Sequence, residues 1–120
     1  MDKVKLIEKF DLINEYWSPK IIEKSNGQLI KLAKVKGEFV WHDHKDEDEL
    51  FYVVKGHLYI DLEDKTLELK EGEMTVINKG VKHRPRTGDD ETWLMLFEPK
   101  STQHTGDIES DLTNNQQNFL

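Results

Sequence analysis

Histidine is the residue type in this sequence that is best suited to bind a metal or to transfer a proton, because the chain contains no cysteine. Five histidines lie at positions 42, 44, 57, 83 and 104. His42 and His44 fall two residues apart in a predicted strand, where residues i and i+2 project from the same face. If that face points outward, the two imidazoles are ordinary surface groups. If it points inward, a shared metal ion is the natural reason for two neighbouring imidazoles.

A carboxylate and a third imidazole could complete such a site. Glu49 opens an otherwise apolar run, and by strand alternation it shares a face with Phe51 and Val53. A carboxylate on so apolar a face is costly unless it is paired or ligated. His83 follows a predicted turn at 78–80, which could bring it from a distant strand to the same pocket. On the residues alone, a metal site and a set of surface histidines with a capping glutamate are equally open.

Short β runs dominate the chain around these residues. Asn26-Gly27 separates two of the runs and is a strong hairpin signal, because both residues tolerate positive φ. The runs recur with turn residues between them, which is typical of a sandwich or barrel. No helical pattern interrupts them, so a parallel βαβ sheet is excluded. The predicted strands are 21–25, 28–35, 38–44, 49–54, 57–63, 66–70, 74–78, 82–85 and 92–98.

Three segments are predicted along the chain. Residues 1–19 carry apolar side chains at helical spacing, which favours a short helix around Lys5–Ile13, although alternation over the same residues would also suit a strand. Residues 20–99 form the predicted barrel. Residues 100–120 are polar and hold few apolar anchors, so they bury too little to offset their ordering entropy. We expect them to form a flexible tail, partly pinned on the barrel surface.

The charge balance narrows the function classes. Seventeen Lys and Arg stand against twenty-four Asp and Glu, for a net charge of −7, and no basic run appears. This argues against binding to nucleic acid phosphates. The longest apolar runs are five residues, far short of a membrane span, and the N-terminus has no signal-peptide apolar core. We therefore expect a cytoplasmic protein with neither a nucleic acid nor a membrane as partner.

Two spaced motifs resemble the cupin superfamily. The first comprises Gly37, His42, His44, Glu49 and Gly56, and the second comprises Gly72, Asn78, Gly80 and His83. The first motif is one residue shorter than usual, and Asn78 stands where proline is common; both departures concern turns. More narrowly, the stretches WHDHKDEDELFYVVKGHL and GVKHRP are similar to small, single-domain bacterial cupins, mostly uncharacterised, that are labelled mannose-6-phosphate isomerase-like. That label rests on a shared fold, which is weak support for a function.

The resemblance implies a fold and a metal site. The fold is all-β, a cupin-type antiparallel β-barrel (a double-stranded β-helix or jelly roll) with a short N-terminal helix. The cofactor is one divalent transition metal, namely Mn, Fe, Ni, Co or Zn. Glu47 and Asp48 are rivals to Glu49, but the spacing to Gly56 and the inward parity favour Glu49. The implied ligands are His42, His44, Glu49 and His83.

The resemblance also implies a class of function. A metal-dependent enzyme would act on a small oxygenated metabolite by isomerase-, decarboxylase- or dioxygenase-type chemistry. The alternatives are a non-catalytic cupin that binds or senses a small ligand, and a barrel whose metal is purely structural. No general acid or base stands out, so the catalytic residues are unknown at this point.

The remaining polar residues and the assembly have simpler interpretations. Surface positions are predicted for Glu38, His57 and His104. Arg84 and Arg86 alternate away from His83, and ion pairs with the acidic surface are favoured over a grip on an anionic ligand. Two strands, 49–54 and 92–98, are apolar on both faces. Because a monomer rarely leaves a large apolar patch in water, a homodimer is expected, with burial under the C-terminal tail as the rival.

Overall fold

The computed structural model describes residues 1–99 and 118–120, which contain one short helix and nine β-strands. The helix α1 spans Leu6–Phe10. The strands are β1 (Lys20–Ser25), β2 (Gln28–Val35), β3 (Glu49–Lys55), β4 (Leu58–Leu62), β5 (Thr66–Leu69), β6 (Met74–Ile77), β7 (His83–Arg86), β8 (Thr92–Pro99) and β9 (Asn118–Phe119). No helix in these two ranges is long and apolar enough to cross a membrane.

Two sheets enclose the interior of the barrel. The larger has the strand order β6-β3-β8-β2-β1-β9, and the smaller has the order β5-β4-β7. Neighbouring strands are antiparallel except for β1 and β9, which run parallel. The β1–β2 hairpin turns at Asn26 and Gly27, whose φ angles are 52° and 75°, as a two-residue turn of this type requires. The predicted all-β, cupin-type fold is confirmed.

Strand alternation fills the barrel with apolar side chains. On β3, Phe51 and Val53 are buried, while the residues between them are half-buried on the outer face. Leu94 and Leu96 on β8 follow the same rule. From the smaller sheet, β4 contributes further buried residues to the same cluster. The two inner faces therefore share one core, and any polar group among them needs a partner.

Helix α1 covers part of the outer face of the larger sheet. The Phe10 ring stacks on Trp93 with centroids 4.7 Å apart, and Ile13 and Leu32 are buried in the same cluster. The helix ends earlier than predicted, at Phe10 rather than Ile13. The amide of Ile13 bonds to the carbonyl of Phe10, three residues back, so the chain tightens into a turn there.

Residues 38–44 do not form the strand that the sequence predicts. They run extended opposite β7 and form two isolated bridges with it, Glu38 to Arg86 and His42 to His83. Three residues separate the bridges on one side but only two on the other, so the register slips by one. Pro85 also lies between them and has no N–H to donate. The other eight predicted strands appear with ends within one residue of the prediction.

The predicted tail falls mostly outside the described residues. Residues 100–117 are not described, so the prediction of a flexible segment stays a prediction there. At the chain end, Asn118 and Phe119 pair with Lys20 and Ile21 as the short strand β9. The amide of Leu120 also bonds to the carbonyl of Ile21. This short strand was not predicted.

Candidate metal centre

A backbone bridge brings two of the predicted ligands together. The amide of His42 lies 3.0 Å from the carbonyl oxygen of His83, and the amide of His83 lies 2.9 Å from that of His42. These hydrogen bonds bring the two imidazole rings close together, with centroids 4.3 Å apart. The carbonyl of His44 accepts from the amide of Gly80, which fixes His44 against the turn that precedes β7. Hydrogen bonds of the main chain thus place three imidazoles at one end of the barrel.

Glu49 reaches the same point from β3. Its carboxylate oxygen Oε1 lies 3.4 Å from Nε2 of His44 and 3.9 Å from Nε2 of His83. All four side chains are buried, and their ligand atoms lie within 4.8 Å of one another. Two ligands about 2.1 Å from one ion can be at most about 4.2 Å apart. A contraction of a few tenths of an ångström would therefore suit a bound metal ion.

Backbone carbonyls orient two of the rings. Nδ1 of His42 lies 2.9 Å from the carbonyl oxygen of Val40, and Nδ1 of His83 lies 2.9 Å from that of Val81. A carbonyl can only accept, so Nδ1 carries the proton and Nε2 offers its lone pair to the site. Nε2 of His83 is buried and has no hydrogen-bond partner among the described residues. This arrangement is the usual one for histidines that bind metals.

The rival carboxylates lie elsewhere. Asp48 is exposed, and its Oδ1 accepts from the backbone amide of Lys79, so it braces the turn rather than the site. Glu47 is half-buried and outside the cluster of ligand atoms. His57 is exposed, as predicted, and His104 lies outside the described residues.

Arg84 and Arg86 form ion pairs on the outer face of the smaller sheet, as the favoured interpretation predicts. Asp61 Oδ2 accepts from Arg84 Nη2 at 2.8 Å and from Arg86 Nε at 2.9 Å. The hydrogen bond from Arg86 lowers the pKa of Asp61 below its usual range. Glu38 is exposed and pairs with Arg84 at 3.3 Å. Neither guanidinium is therefore available to the interior.

A buried lysine–glutamate pair beside the site was missed by the sequence reasoning. Lys31 on β2 and Glu98 on β8 point into the barrel, and Lys31 Nζ lies 2.6 Å from Glu98 Oε1. Their side chains are 4% and 0% exposed. Glu98 also interacts with Glu49 on the next strand, so three charged side chains form a row across the sheet. Strand alternation could have identified both residues as inward-facing, because each shares a strand face with buried apolar residues two positions away.

This row carries one more negative charge than positive charge. Burial raises the pKa of Glu98 well above its usual value, and the neighbouring Glu49 raises it further. Burial also raises the pKa of Glu49. One lysine neutralises one carboxylate, so the other needs a proton or a cation. A divalent ion at the histidines would supply that positive charge, which is why the donor set fits a metal.

His83 is held in the neutral form that a metal requires. Burial lowers its pKa from 6.5 to about 4. A buried imidazolium would have to give up its hydration, and the neutral ring avoids this cost. The neutral ring therefore keeps the lone pair that a metal ligand must offer.

A cavity leads from the protein surface to two of the four side chains. It is about 360 Å³ including its open mouth, and His42 and Glu49 lie in its wall. Trp17 and Pro19 are the half-buried residues of its lining, so the mouth opens beside them. The other lining residues are buried. The candidate metal centre is consequently reachable by a small molecule.

An antiparallel barrel with three inward histidines and a glutamate that could hold a metal ion is the arrangement that the cupin resemblance implies. The cupin domain family matches residues 29–98, more than half of the chain. The chain therefore belongs to the cupin domain family.

Relatives of known structure or sequence agree with this assignment. A cupin-2 domain containing protein from Shewanella frigidimarina is 45% identical, with a TM-score of 0.79 over 81% of this chain and 94% of that one. Protein NMB1881 from Neisseria meningitidis is 34% identical, with a TM-score of 0.74 over 82% and 100%. Uncharacterized protein YdbB from Bacillus subtilis is 45% identical over 67 residues, which are 55% of this chain and 59% of YdbB. The chain thus matches less than two thirds of YdbB.

Proposed function

We propose that the protein is a metal-dependent enzyme that holds one divalent transition-metal ion through His42, His44, Glu49 and His83. The observation that carries the proposal is the convergence of these four buried ligand atoms within 4.8 Å. Three neutral imidazoles and one carboxylate suit Mn, Fe, Ni, Co or Zn, and the ion would keep a net charge near +1. Without a cation, one carboxylate of the row would have to take up a proton.

The protein residues and the bound metal would have separate roles. A bound ion supplies Lewis-acid polarisation of a substrate oxygen, or redox chemistry if it is iron or manganese. The protein residues orient that ion through the carbonyl-anchored rings and exclude bulk water through the apolar barrel. Among the described residues that line the cavity, only His42 and Glu49 have ionisable side chains. Isomerase-, decarboxylase- and dioxygenase-type reactions all remain compatible with this set.

Access to the site favours a ligand-handling metal over a structural one. A metal that only braces a fold needs no route to solvent, and structural sites are usually closed. Here His42 and Glu49 line a cavity that opens beside Trp17. A small molecule entering by this route would meet the ligand side chains directly.

Metal content is the first test. We expect purified wild-type protein, loaded and then desalted, to retain close to one equivalent of divalent metal by elemental analysis. His44→Ala should lose most of that metal and the thermal stabilisation that accompanies it. The exposed His57→Ala is the matched control and should behave as the wild type. Equal metal content in wild type and His44→Ala would reject the ligand assignment.

Turnover is the second test, because a non-catalytic binding cupin would share the same site. The metal-loaded protein would be incubated with a panel of small 2-oxo acids, hydroxy acids and enediols and followed by NMR. Conversion that disappears in His44→Ala, but not in His57→Ala, supports an enzyme. A compound that binds at the site and is recovered unchanged supports the binding module instead. Mannose 6-phosphate belongs in the panel because of the family label.

A homodimer is the assembly we propose. The outer face of the larger sheet carries half-buried Tyr52 and Phe97, and the edge strand β6 continues it with exposed Met74 and Val76. Helix α1 covers a different part of this face. A second copy, related by a twofold axis, could meet the same patch and the open edge of β6. The cytoplasmic location stays a prediction.

A further inference from the structure

The cavity above the candidate metal centre is walled almost entirely by apolar side chains. Nine of its eleven lining residues are apolar, and the two others are the ligands His42 and Glu49. Phe39 and Phe51 supply aromatic walls, and Ala33 and Leu94 supply aliphatic ones. The volume of about 360 Å³ includes open solvent at the mouth, so the enclosed part is much smaller. The occupant must therefore be small.

These walls select against hydroxyl-rich molecules. A hydroxyl buried without a hydrogen-bond partner costs about 1–3 kcal/mol, and a sugar would bury several of them. The lining also contains no lysine or arginine to hold a phosphate. Lys31 is paired with Glu98, and Arg84 is paired with Asp61 on the outer face. Within the described residues, a sugar phosphate would thus find few hydrogen bonds here and no cationic side chain for its phosphate.

The net charge of the metal-loaded site favours a ligand with a single negative charge. With a divalent ion, three neutral imidazoles and the Glu49 carboxylate, the centre carries a net charge near +1. The neighbouring Lys31–Glu98 pair adds nothing to it when both are ionised. A monoanionic oxygen group would neutralise the centre, which is the least costly state inside an apolar barrel.

Trp17 forms one wall of the cavity mouth in a fixed position. Its ring stacks on Phe39 with centroids 4.6 Å apart. Its indole N–H donates to the carbonyl of Lys36, its amide donates to the carbonyl of Lys34, and its φ of 59° is unusual for a bulky residue. Strain of this kind persists only where the surroundings impose it. The aromatic wall at the mouth is therefore built in rather than incidental.

We propose that the cavity binds a small monocarboxylic acid with an aromatic or branched aliphatic body. This inference rests on the proposed function, because the carboxylate would face the metal held by His42 and Glu49. The apolar body would lie between Phe39, Phe51 and Leu94, under Trp17. The proposal names a substrate class for the site and leaves the reaction to be found.

Calorimetry on the zinc-loaded protein tests the proposal with benzoate and 3-methylbutanoate as probes. Glycolate and mannose 6-phosphate are the polar comparisons. We expect both apolar acids to bind about tenfold or more tightly than glycolate, because burying a ring or branched chain contributes on that scale. Removal of the zinc should abolish the binding. Equal affinity for glycolate, or equal binding to the metal-free protein, would overturn the proposal.

Ala33 offers a variant that fills the cavity without touching a ligand. Ala33→Leu should lose at least tenfold in benzoate affinity and keep its zinc, whereas the size-matched Ala33→Ser should keep both. If the larger side chain prevents folding, Trp17→Ala replaces it and should weaken benzoate binding by about three- to tenfold through loss of the aromatic wall. Benzoate binding unchanged in the folded variant would place it elsewhere and refute the cavity. Loss of zinc in the wild type would reject the proposed function, whereas zinc retention without benzoate binding would reject only the substrate class.

Discussion

Replacing Lys31 with methionine removes the ammonium group that lies 2.6 Å from Glu98 Oε1 inside the barrel. Methionine keeps most of the volume, so the change is chiefly one of charge. The Glu98 side chain is fully buried and cannot turn to water. It must either remain an unpaired carboxylate next to Glu49 or take up a proton.

Breaking a buried ion pair from one side costs about 3–5 kcal/mol of unfolding free energy. Protonation of Glu98 would remove part of this cost, so we expect the variant to lose about 3 kcal/mol of unfolding free energy near neutral pH. Burial already raises the pKa of Glu98, so its contribution to stability is complete below pH 4.5 and is lost as the pH rises through the raised value. Without Lys31 that value rises further. The deficit of Lys31→Met relative to the wild type should therefore grow as the pH rises above the wild-type pKa of Glu98.

Urea unfolding of the metal-free proteins, at one protein concentration and several pH values, measures this deficit. The double variant Lys31→Met/Glu98→Gln is the control, because glutamine has nearly the shape of glutamate but carries no charge. It should recover more than half of the loss. A deficit below about 1 kcal/mol with no dependence on pH would refute the compensating role of Lys31. A double variant as unstable as the single one would show that the stranded carboxylate is not the cause.

Three further predictions concern other parts of the molecule. Burial lowers the pKa of His83 to about 4, so the metal-free protein should lose up to about 3 kcal/mol of unfolding free energy as the pH falls from 6.5 towards 4. Metal affinity should fall over the same range, because a protonated imidazole cannot bind a metal. Unfolding free energy and metal affinity that do not change with pH would contradict this. Gly56→Ala should lower the melting temperature, because φ is 93° and a Cβ would lie 3.0 Å from the Glu91 carbonyl, whereas Gly88→Ala, with open space around it, should not. Val76→Lys should convert a dimer to a monomer in light scattering, and a wild type that is already monomeric, with or without residues 101–120, would exclude the dimer.

Local rules were sufficient for most of the fold. Asn26-Gly27 predicts its hairpin because few dipeptides tolerate two positive φ angles, and the structure has both. The parity argument predicts an inward Glu49 from Phe51 and Val53 alone, and all three are buried. Alternation and turn residues depend on neighbours in sequence, which is why these predictions were accurate.

Long-range features were harder to predict. Residues 38–44 have a strand-like composition, but the slipped register opposite Pro85 depends on a segment forty residues away. Lys31 and Glu98 were missed because each looks like an ordinary surface charge until β2 and β8 are known to be neighbours. The cavity was also hard to predict, because Trp17 precedes the barrel in sequence and only the folded chain places it beside the site.

Part of the cavity wall comes from strands that carry none of the predicted ligands. His42, His44 and His83 lie on the bridged segment and β7, whereas Ala33 and Leu94 lie on β2 and β8. Natural variation in the walls can therefore diversify what such a barrel accepts while the coordinating residues stay fixed. A combinatorial library confined to the wall positions should yield variants with new selectivity at unchanged metal occupancy, so this scaffold separates evolvable positions from invariant ones.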